Sequence, residues 1–243
     1  MADHVVWDWN GTLWDDLPQV HLAVNAALRE VDAPTLGLSE YIRLFTRPLP
    51  AFYCRVLGRE ITESEWERIN HRFETSYVAS MHIAGLASEA SRALETVAQS
   101  GATQSILSLY PHDPLNDLVH KLGIAHYFTR IDGLRGPSGG SKVGLFGNHL
   151  EAAAGGIPPH RVVMVGDTDD DLAAATEAGS TCILINHHGD QALGADPSLD
   201  GFFADGLLAA LRKAGLDSLD GKASPSGASG LCYKGDMKPL RAD

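Results

Sequence analysis

Cysteine is scarce in this chain. The 243 residues carry only Cys54, Cys182 and Cys232, widely spaced and without a C-x-x-C pair. That argues against a disulfide framework or a cysteine-based zinc site and leaves three reduced thiols. Eleven histidines do not fill the gap, because a pair such as His187-His188 has no third partner at a zinc-ligand spacing. Long apolar runs are missing too. None approaches the ~18 residues of a membrane span, and no cationic-then-apolar leader precedes the first apolar segment, so a cytoplasmic protein with no membrane partner is expected. Basic residues are the third deficit: 19 Lys and Arg against 31 Asp and Glu give a formal charge of −12. Such a balance speaks against a broad nucleic-acid surface, although a bound cation and local lysines can still make one pocket attractive to an anion. A P-loop is excluded as well, because Gly136-Pro137-Ser138-Gly139-Gly140-Ser141-Lys142 lacks the glycine directly before the lysine.

What remains is an ordinary globular composition, 44% hydrophobic and 21% charged. The length suits one large domain or a core with a smaller insertion. Apolar runs predict strands at 4–9, 104–108, 161–166 and 181–186, with a short one at 202–203. Helical spacing predicts helices at 88–100, 115–122, 142–154, 170–178 and 206–214. The alternation implies an α/β fold with a doubly wound, mainly parallel, Rossmann-like sheet. Residues 17–82 show helical periodicity broken by Pro34, Pro48 and Pro50, and no period-two segment, so they read as an all-helical insertion after the first strand. Thr62-Glu63-Ser64-Glu65 has the form of a helix start. Composition makes 132–141 a loop and 215–243 a flexible tail. The organisation expected is a core of 1–16 and 83–214, an insertion of 17–82, and the tail.

Chemistry concentrates at two strand ends. Val5-Val6-Trp7 runs into Asp8, followed by Asn10-Gly11-Thr12-Leu13; Val162-Val163-Met164-Val165 runs into Gly166-Asp167, followed by Thr168-Asp169-Asp170-Asp171. Strand ends of open α/β sheets hold ligands. A carboxylate there can attack phosphorus if its charge is compensated, and two acid-tipped strands suit a hard divalent cation. Asp169 and Asp170 read as solvated acids favoured at a helix start.

Asp8-Trp9-Asn10-Gly11-Thr12-Leu13, Ser108 ending an apolar strand, Lys142 at a helix start and Gly166-Asp167-Thr168-Asp169-Asp170-Asp171, in that order, resemble the haloacid dehalogenase superfamily. The likeness covers about residues 4–214 and is to phosphoglycolate-phosphatase-like members with a helical cap. The resemblance implies a phosphohydrolase of a small phosphorylated metabolite, acting as a monomer or homodimer. Asp8 would be the nucleophile. Mg²⁺ would be held by Asp8, the Asn10 carbonyl, Asp167 and, directly or through water, Asp171. Ser108 and Lys142 would bind the phosphoryl group beside the Gly11-Thr12 turn. The insertion would be the cap, where Arg43 and Arg47, together with Lys142, could meet a second anionic group and aromatic residues could line the lid.

One residue departs from the family pattern. Its second aspartate, the general acid/base, is Asn10 here. An amide cannot deliver a proton to a leaving alkoxide. Three explanations follow: a substrate with a good leaving group, a substitute among Asp15, Asp16, His112 and His188, or a protein that binds a phospho-ligand without turnover. A phosphate-transferring mutase is a further alternative. A dehalogenase would share the nucleophile but needs no metal.

Overall fold

The computed structural model describes residues 1–136, 140–185 and 203–216. Along the chain come β1 (His4–Trp7), β2 (Trp14–Asp15), α1 (Leu17–Arg29), α2 (Leu38–Leu44), α3 (Leu49–Leu57), α4 (Glu63–Ser80) and β3 (Gly85–Leu86). Then follow α5 (Ala90–Ser100), β4 (Thr103–Pro111), α6 (His112–Lys121), β5 (Arg130–Leu134), α7 (Val143–Ala153), β6 (Val162–Gly166), α8 (Asp169–Glu177), β7 (Thr181–Ile185), β8 (Phe203–Ala204) and α9 (Leu207–Lys213).

Six strands form one sheet in the order β5-β4-β1-β6-β7-β8, every pairing parallel. β1 and β6 are buried throughout, as strands covered on both faces must be. Their side chains divide with period two. Val5, Trp7, Val163 and Val165 face a cluster closed by α5, α6 and α9, whereas Val6, Val162 and Met164 face one closed by α7 and α8. The α/β, doubly wound sheet expected from the alternation of elements is therefore present. Because β1 lies between β4 and β6, strand order departs in both directions from it. That switch point is where such sheets open a crevice at their carboxyl ends.

Helices α1–α4 enclose a separate cluster that includes Leu17, Val24, Leu28, Tyr41, Phe52 and Ile69. The start of α4 is the one foreseen: Thr62 Oγ1 accepts from Glu65 N, and the Glu65 carboxylate accepts from Thr62 N. Where the chain leaves for these helices and returns from them, β2 and β3 pair antiparallel, Trp14 opposite Leu86.

Three expectations need correction. The 132–141 loop overlaps a strand, since β5 runs to Leu134. Its Asp132-Gly133 pair looks like turn chemistry, but Gly133 is there for closeness: a Cβ would stand 2.6 Å from the Tyr110 carbonyl oxygen. Helix α6 begins at His112 rather than 115, because Pro114 falls in the first turn, where its missing N–H costs nothing. The tail boundary at 215 is early, because Leu216 is buried in the main core. Residues 186, 202 and 217–243 of the expected elements lie outside the described residues.

A buried polar chain ties α7 to the sheet. His4 meets Thr103 Oγ1 at 2.7 Å and Ser105 Oγ at 2.8 Å; Ser105 Oγ meets His149 Nε2, and His149 Nδ1 meets Asp132, both at 2.8 Å. Burial, then the neighbouring His149, push His4 down to about 4, so it stays neutral at physiological pH.

Candidate active site

Three neighbouring strands deliver their ends to one place: Asp8 follows β1, Asp167 follows β6, and Ser108 lies on β4 where its pairing with β5 is interrupted. Oxygens of Asp8, Asp167 and Asp171 lie within 4.8 Å of one another, the one such acidic group among the described residues that could hold a metal ion. Lys142, the N-cap of α7, enters this cluster with its side chain 5% exposed. Its Nζ donates to Asp8 Oδ1 and, at 2.5 Å, to Asp171 Oδ1. The predicted nucleophile, lysine and acids are thus brought together.

Electrostatics make the cluster incomplete on its own. Three carboxylates face one ammonium. Burial, opposed by Lys142 and reinforced by Asp171, pushes Asp8 up to about 6. Burial and the neighbouring Asp8 and Asp171 push Asp167 well above the carboxylate range. Burial pulls the other way on Lys142, but Asp171 and Asp8 outweigh it and hold the lysine protonated. Asp167 Oδ1 is buried and accepts no hydrogen bond. Hard oxygen donors, an unpartnered carboxylate oxygen and uncompensated negative charge fit a hard divalent cation.

Asp171 is less available than its neighbours. Its Oδ1 holds Lys142, and its Oδ2 accepts from Thr168 N at 3.1 Å and Thr168 Oγ1 at 2.8 Å in the capping box of α8. Asp170, read from sequence as a solvated helix-start acid, is buried. Its carboxylate accepts from Ser141 Oγ and, at 2.8 Å, from Lys142 N, which fixes the backbone that carries the lysine.

The turn after Asp8 is built for close approach. Gly11 has φ +71°, and a Cβ on it would run into Asp167 Oδ2. Its N–H is spent inside the turn, on Trp14 O at 2.9 Å and Asp16 Oδ1 at 3.0 Å. Gly11 lines the cavity above the acids, whereas Thr12 is fully buried and does not. Gly11→Ala should cost about 1–2 kcal/mol for the left-handed backbone alone and displace Asp167. Urea unfolding should show the first effect and a Mg²⁺ titration, weakened at least tenfold, the second.

Asn10 lines the cavity with its amide already engaged. Nδ2 donates to Asp16 Oδ2 at 2.7 Å and to the Tyr77 hydroxyl at 2.8 Å, while that hydroxyl donates to Asp16 Oδ2 at 2.5 Å. Of the residues considered as substitutes for the missing acid, Asp16 alone among those described reaches the cavity. Asp15 is exposed and His112 is held against Gly133 N, while His188 lies outside the described residues. Burial raises Asp16, and its hydrogen bonds from Tyr77, Asn10 and Gly11 oppose that. The Asp16–Tyr77 contact joins the loop after Asp8 to α4 across 61 residues and was not foreseen.

Ser108 is buried beside the acids, its Oγ accepting from Tyr110 N at 3.0 Å, which leaves the hydroxyl proton to donate. The cavity above has a volume of about 350 Å³ and is roofed by residues of α1–α4. Arg47 lines it. Arg43 does not; it is exposed and lies 3.9 Å from Glu40.

The haloacid dehalogenase-like hydrolase family matches residues 2–179. The chain belongs to the haloacid dehalogenase-like hydrolases. It is 26% identical over 194 residues to a phosphoglycolate phosphatase of Haemophilus influenzae, covering 74% of this chain and 84% of the relative. In fold, this hydrolase is similar to a haloacid dehalogenase-like protein of Streptococcus pneumoniae, with a TM-score of 0.71, 19% identity and coverage of 87% and 98%. It is also similar to CbbY of Rhodobacter sphaeroides, solved in complex with phosphate, with a TM-score of 0.62, 19% identity and coverage of 87% and 96%. No described helix of the hydrolase is long and apolar enough to cross a membrane.

Proposed function

We propose that this hydrolase is a Mg²⁺-dependent phosphatase of a small phosphorylated metabolite, similar in chemistry to phosphoglycolate phosphatases, acting in the cytoplasm as a monomer or homodimer through a phosphorylated Asp8. The observation that carries the reading is the Lys142 ammonium bridging Asp8 and Asp171 beside the unpartnered Asp167. The ion would be held by Asp8, the Asn10 carbonyl and Asp167. Asp171, with both oxygens engaged, would meet it through water. Once bound, it would offset the repulsion between the carboxylates and an incoming phosphate.

Asp8 attacks phosphorus with one carboxylate oxygen, and the bond from phosphorus to the leaving oxygen breaks. Lys142 compensates the charge on the attacking carboxylate, and the Ser108 hydroxyl donates to a phosphoryl oxygen. Water then attacks the same phosphorus, releasing phosphate and regenerating Asp8. Residues 17–82 would act as the cap that excludes bulk water and selects the substrate. The phosphatase relatives and the hydrolase family favour this reading over a silent binding protein or a mutase. Phosphate release from a panel of phosphoglycolate, sugar, nucleotide, aryl and acyl phosphates, with Mg²⁺ and after chelation, tests it. No release from any member would end it.

Ion binding should also be visible in stability. Asp8 sits at about 6 in the folded chain against an ordinary 3.8, so the stability it lends is full below the lower value and lost as pH rises through the upper one. A bound cation restores what is lost, whereas below pH 5 protons compete with it. His4 acts in the opposite sense, losing stability as pH falls from its ordinary 6.5 towards 4, so the measurement is the increment caused by Mg²⁺ at each pH. At a hundred times its dissociation constant, Mg²⁺ should raise Tm by about 5–10 °C at pH 7.5, and by much less at pH 5. Equal increments at both would contradict the assignment.

A further inference from the structure

Beyond the acids and Lys142, the cavity is an aromatic chamber. Its walls include Phe45, Phe52, Trp66, Phe73, Tyr77 and Tyr110. Phe73 stacks on Tyr77 with ring centroids 5.8 Å apart and planes 7° apart, and Tyr77 meets Tyr110 edge-on at 6.1 Å, so a line of rings leads from α4 down to the reacting centre. Away from the acid cluster and Lys142, the charged groups on the wall are Asp16, Glu74 and Arg47. The first two leave no net positive charge to receive a second anionic group, and the guanidinium of Arg47 lies 5.9 Å over the Phe45 ring. Several polar groups on the wall are already taken up by one another: Asn10 and Tyr77 bond to Asp16, and Asn70 Nδ2 to Glu74 at 2.8 Å. The ring faces that make up so much of the wall favour a flat apolar body over a hydroxyl-rich one, which would give up water against them.

Asn10 supplies the second, independent observation. With no acid there, the leaving oxygen must depart with its electron pair and no proton from that position. A phenol ionises near 10, as the tyrosine side chain does, whereas an aliphatic alcohol resembles water at about 15.7. A departing phenolate therefore loses far less from the missing acid than a departing alkoxide does.

Resting on the phosphatase reading above, we propose that the substrate of this hydrolase is an aryl phosphate: a phosphomonoester whose flat, apolar ring fills the aromatic chamber and leaves as a phenolate. Asp8 oxygen bonds to phosphorus as the phosphorus–phenolic oxygen bond breaks. The electron pair goes to the phenolic oxygen, which takes a proton from solvent, and water hydrolyses phosphorylated Asp8.

The test pairs binding with turnover on the full-length protein. By calorimetry in Mg²⁺, phenylphosphonate should bind about ten- to a hundredfold more tightly than methylphosphonate, the yield of fully burying one aromatic ring. Phe73→Ala, or Phe73→Leu if the first does not fold, should shrink that ratio several-fold. In turnover, phenyl phosphate should exceed 2-phenylethyl phosphate in kcat by about a hundredfold or more, since the two share a ring and differ in leaving group. Phosphoglycolate should have the lowest kcat/KM of the three. Equal affinity for the two phosphonates, or phosphoglycolate as the best substrate, would overturn the aryl assignment while leaving the phosphatase intact. Phenyl-selective binding without phosphate release from any ester, aryl or acyl phosphate would instead overturn the phosphatase reading and with it this one.

Discussion

Asp8→Asn should lower phosphate release by about 10⁴-fold or more, the scale seen when a nucleophile that acts in concert with its neighbours is removed, with the far-ultraviolet dichroism unchanged. The substitution keeps the shape of the side chain and replaces an anionic, nucleophilic carboxylate by a neutral, weakly nucleophilic amide. Lys142 stays anchored, because Asp171 Oδ1 accepts its second hydrogen bond at 2.5 Å. Stability should not fall. Asp8 is a carboxylate that burial has already pushed up to about 6, so at pH 7.5 its ionised form works against folding in the absence of a cation, and an amide removes that opposition. Tm without Mg²⁺ should hold or rise while the increment from Mg²⁺ shrinks. Asp8→Glu separates reaction from charge: it restores the carboxylate but moves its oxygens by a methylene, and a displacement of about 1 Å costs about 10²-fold. Recovery of Mg²⁺ binding with little recovery of turnover is the expected pattern. Substantial turnover in Asp8→Asn would remove Asp8 from its assigned role.

How much of this could be read beforehand depended on whether a residue's role was local. Asp8 and Asp167 stood out because each ends a strand whose apolar run is long enough to identify, and parallel topology then brings strand ends together whatever the loops do. Lys142 and Ser108 were legible only through the ordered motifs of the family. Asp170 was misread because a solvated acid and a buried one look alike in the first turn of a helix; the packing of 140–142 against α8 decides between them, and that is a tertiary fact. The Asp16–Tyr77 hydrogen bond was invisible for the same reason, since it depends on the packing of α1 against α4. Two-residue strands such as β2 and β3 are too short to show a period. In β5, Asp132 and Gly133 disguised a strand as a loop, although the glycine serves a close backbone contact.

Asn10→Asp should raise turnover of alkyl phosphates such as 2-phenylethyl phosphate by about 10²-fold, the lower end of what acid–base help supplies, and that of phenyl phosphate by much less. The structure shows why the new carboxyl group should carry a proton near neutral pH. The Asn10 amide donates to Asp16 Oδ2 at 2.7 Å; a carboxylate in its place would face another carboxylate that burial already raises, and two such groups share a proton instead of both ionising. The same repulsion makes the variant less stable than the wild type. Asn10→Asp combined with Asp16→Asn removes it by exchanging the partners, with the amide at 16 donating to the carboxylate at 10 and its oxygen still able to accept from Gly11 N. The double variant should therefore regain most of the lost Tm but give back much of the gain on alkyl substrates near neutral pH. The carboxylate that kept a proton on residue 10 is gone, and an amide now donates to it. The single variant alone should show an alkaline limb on alkyl substrates that the wild type lacks. A gain of equal size on aryl and alkyl esters would show that position 10 acts on something other than the leaving oxygen. No gain on either would place the proton source elsewhere in the pocket, with Asp16 the first residue to replace.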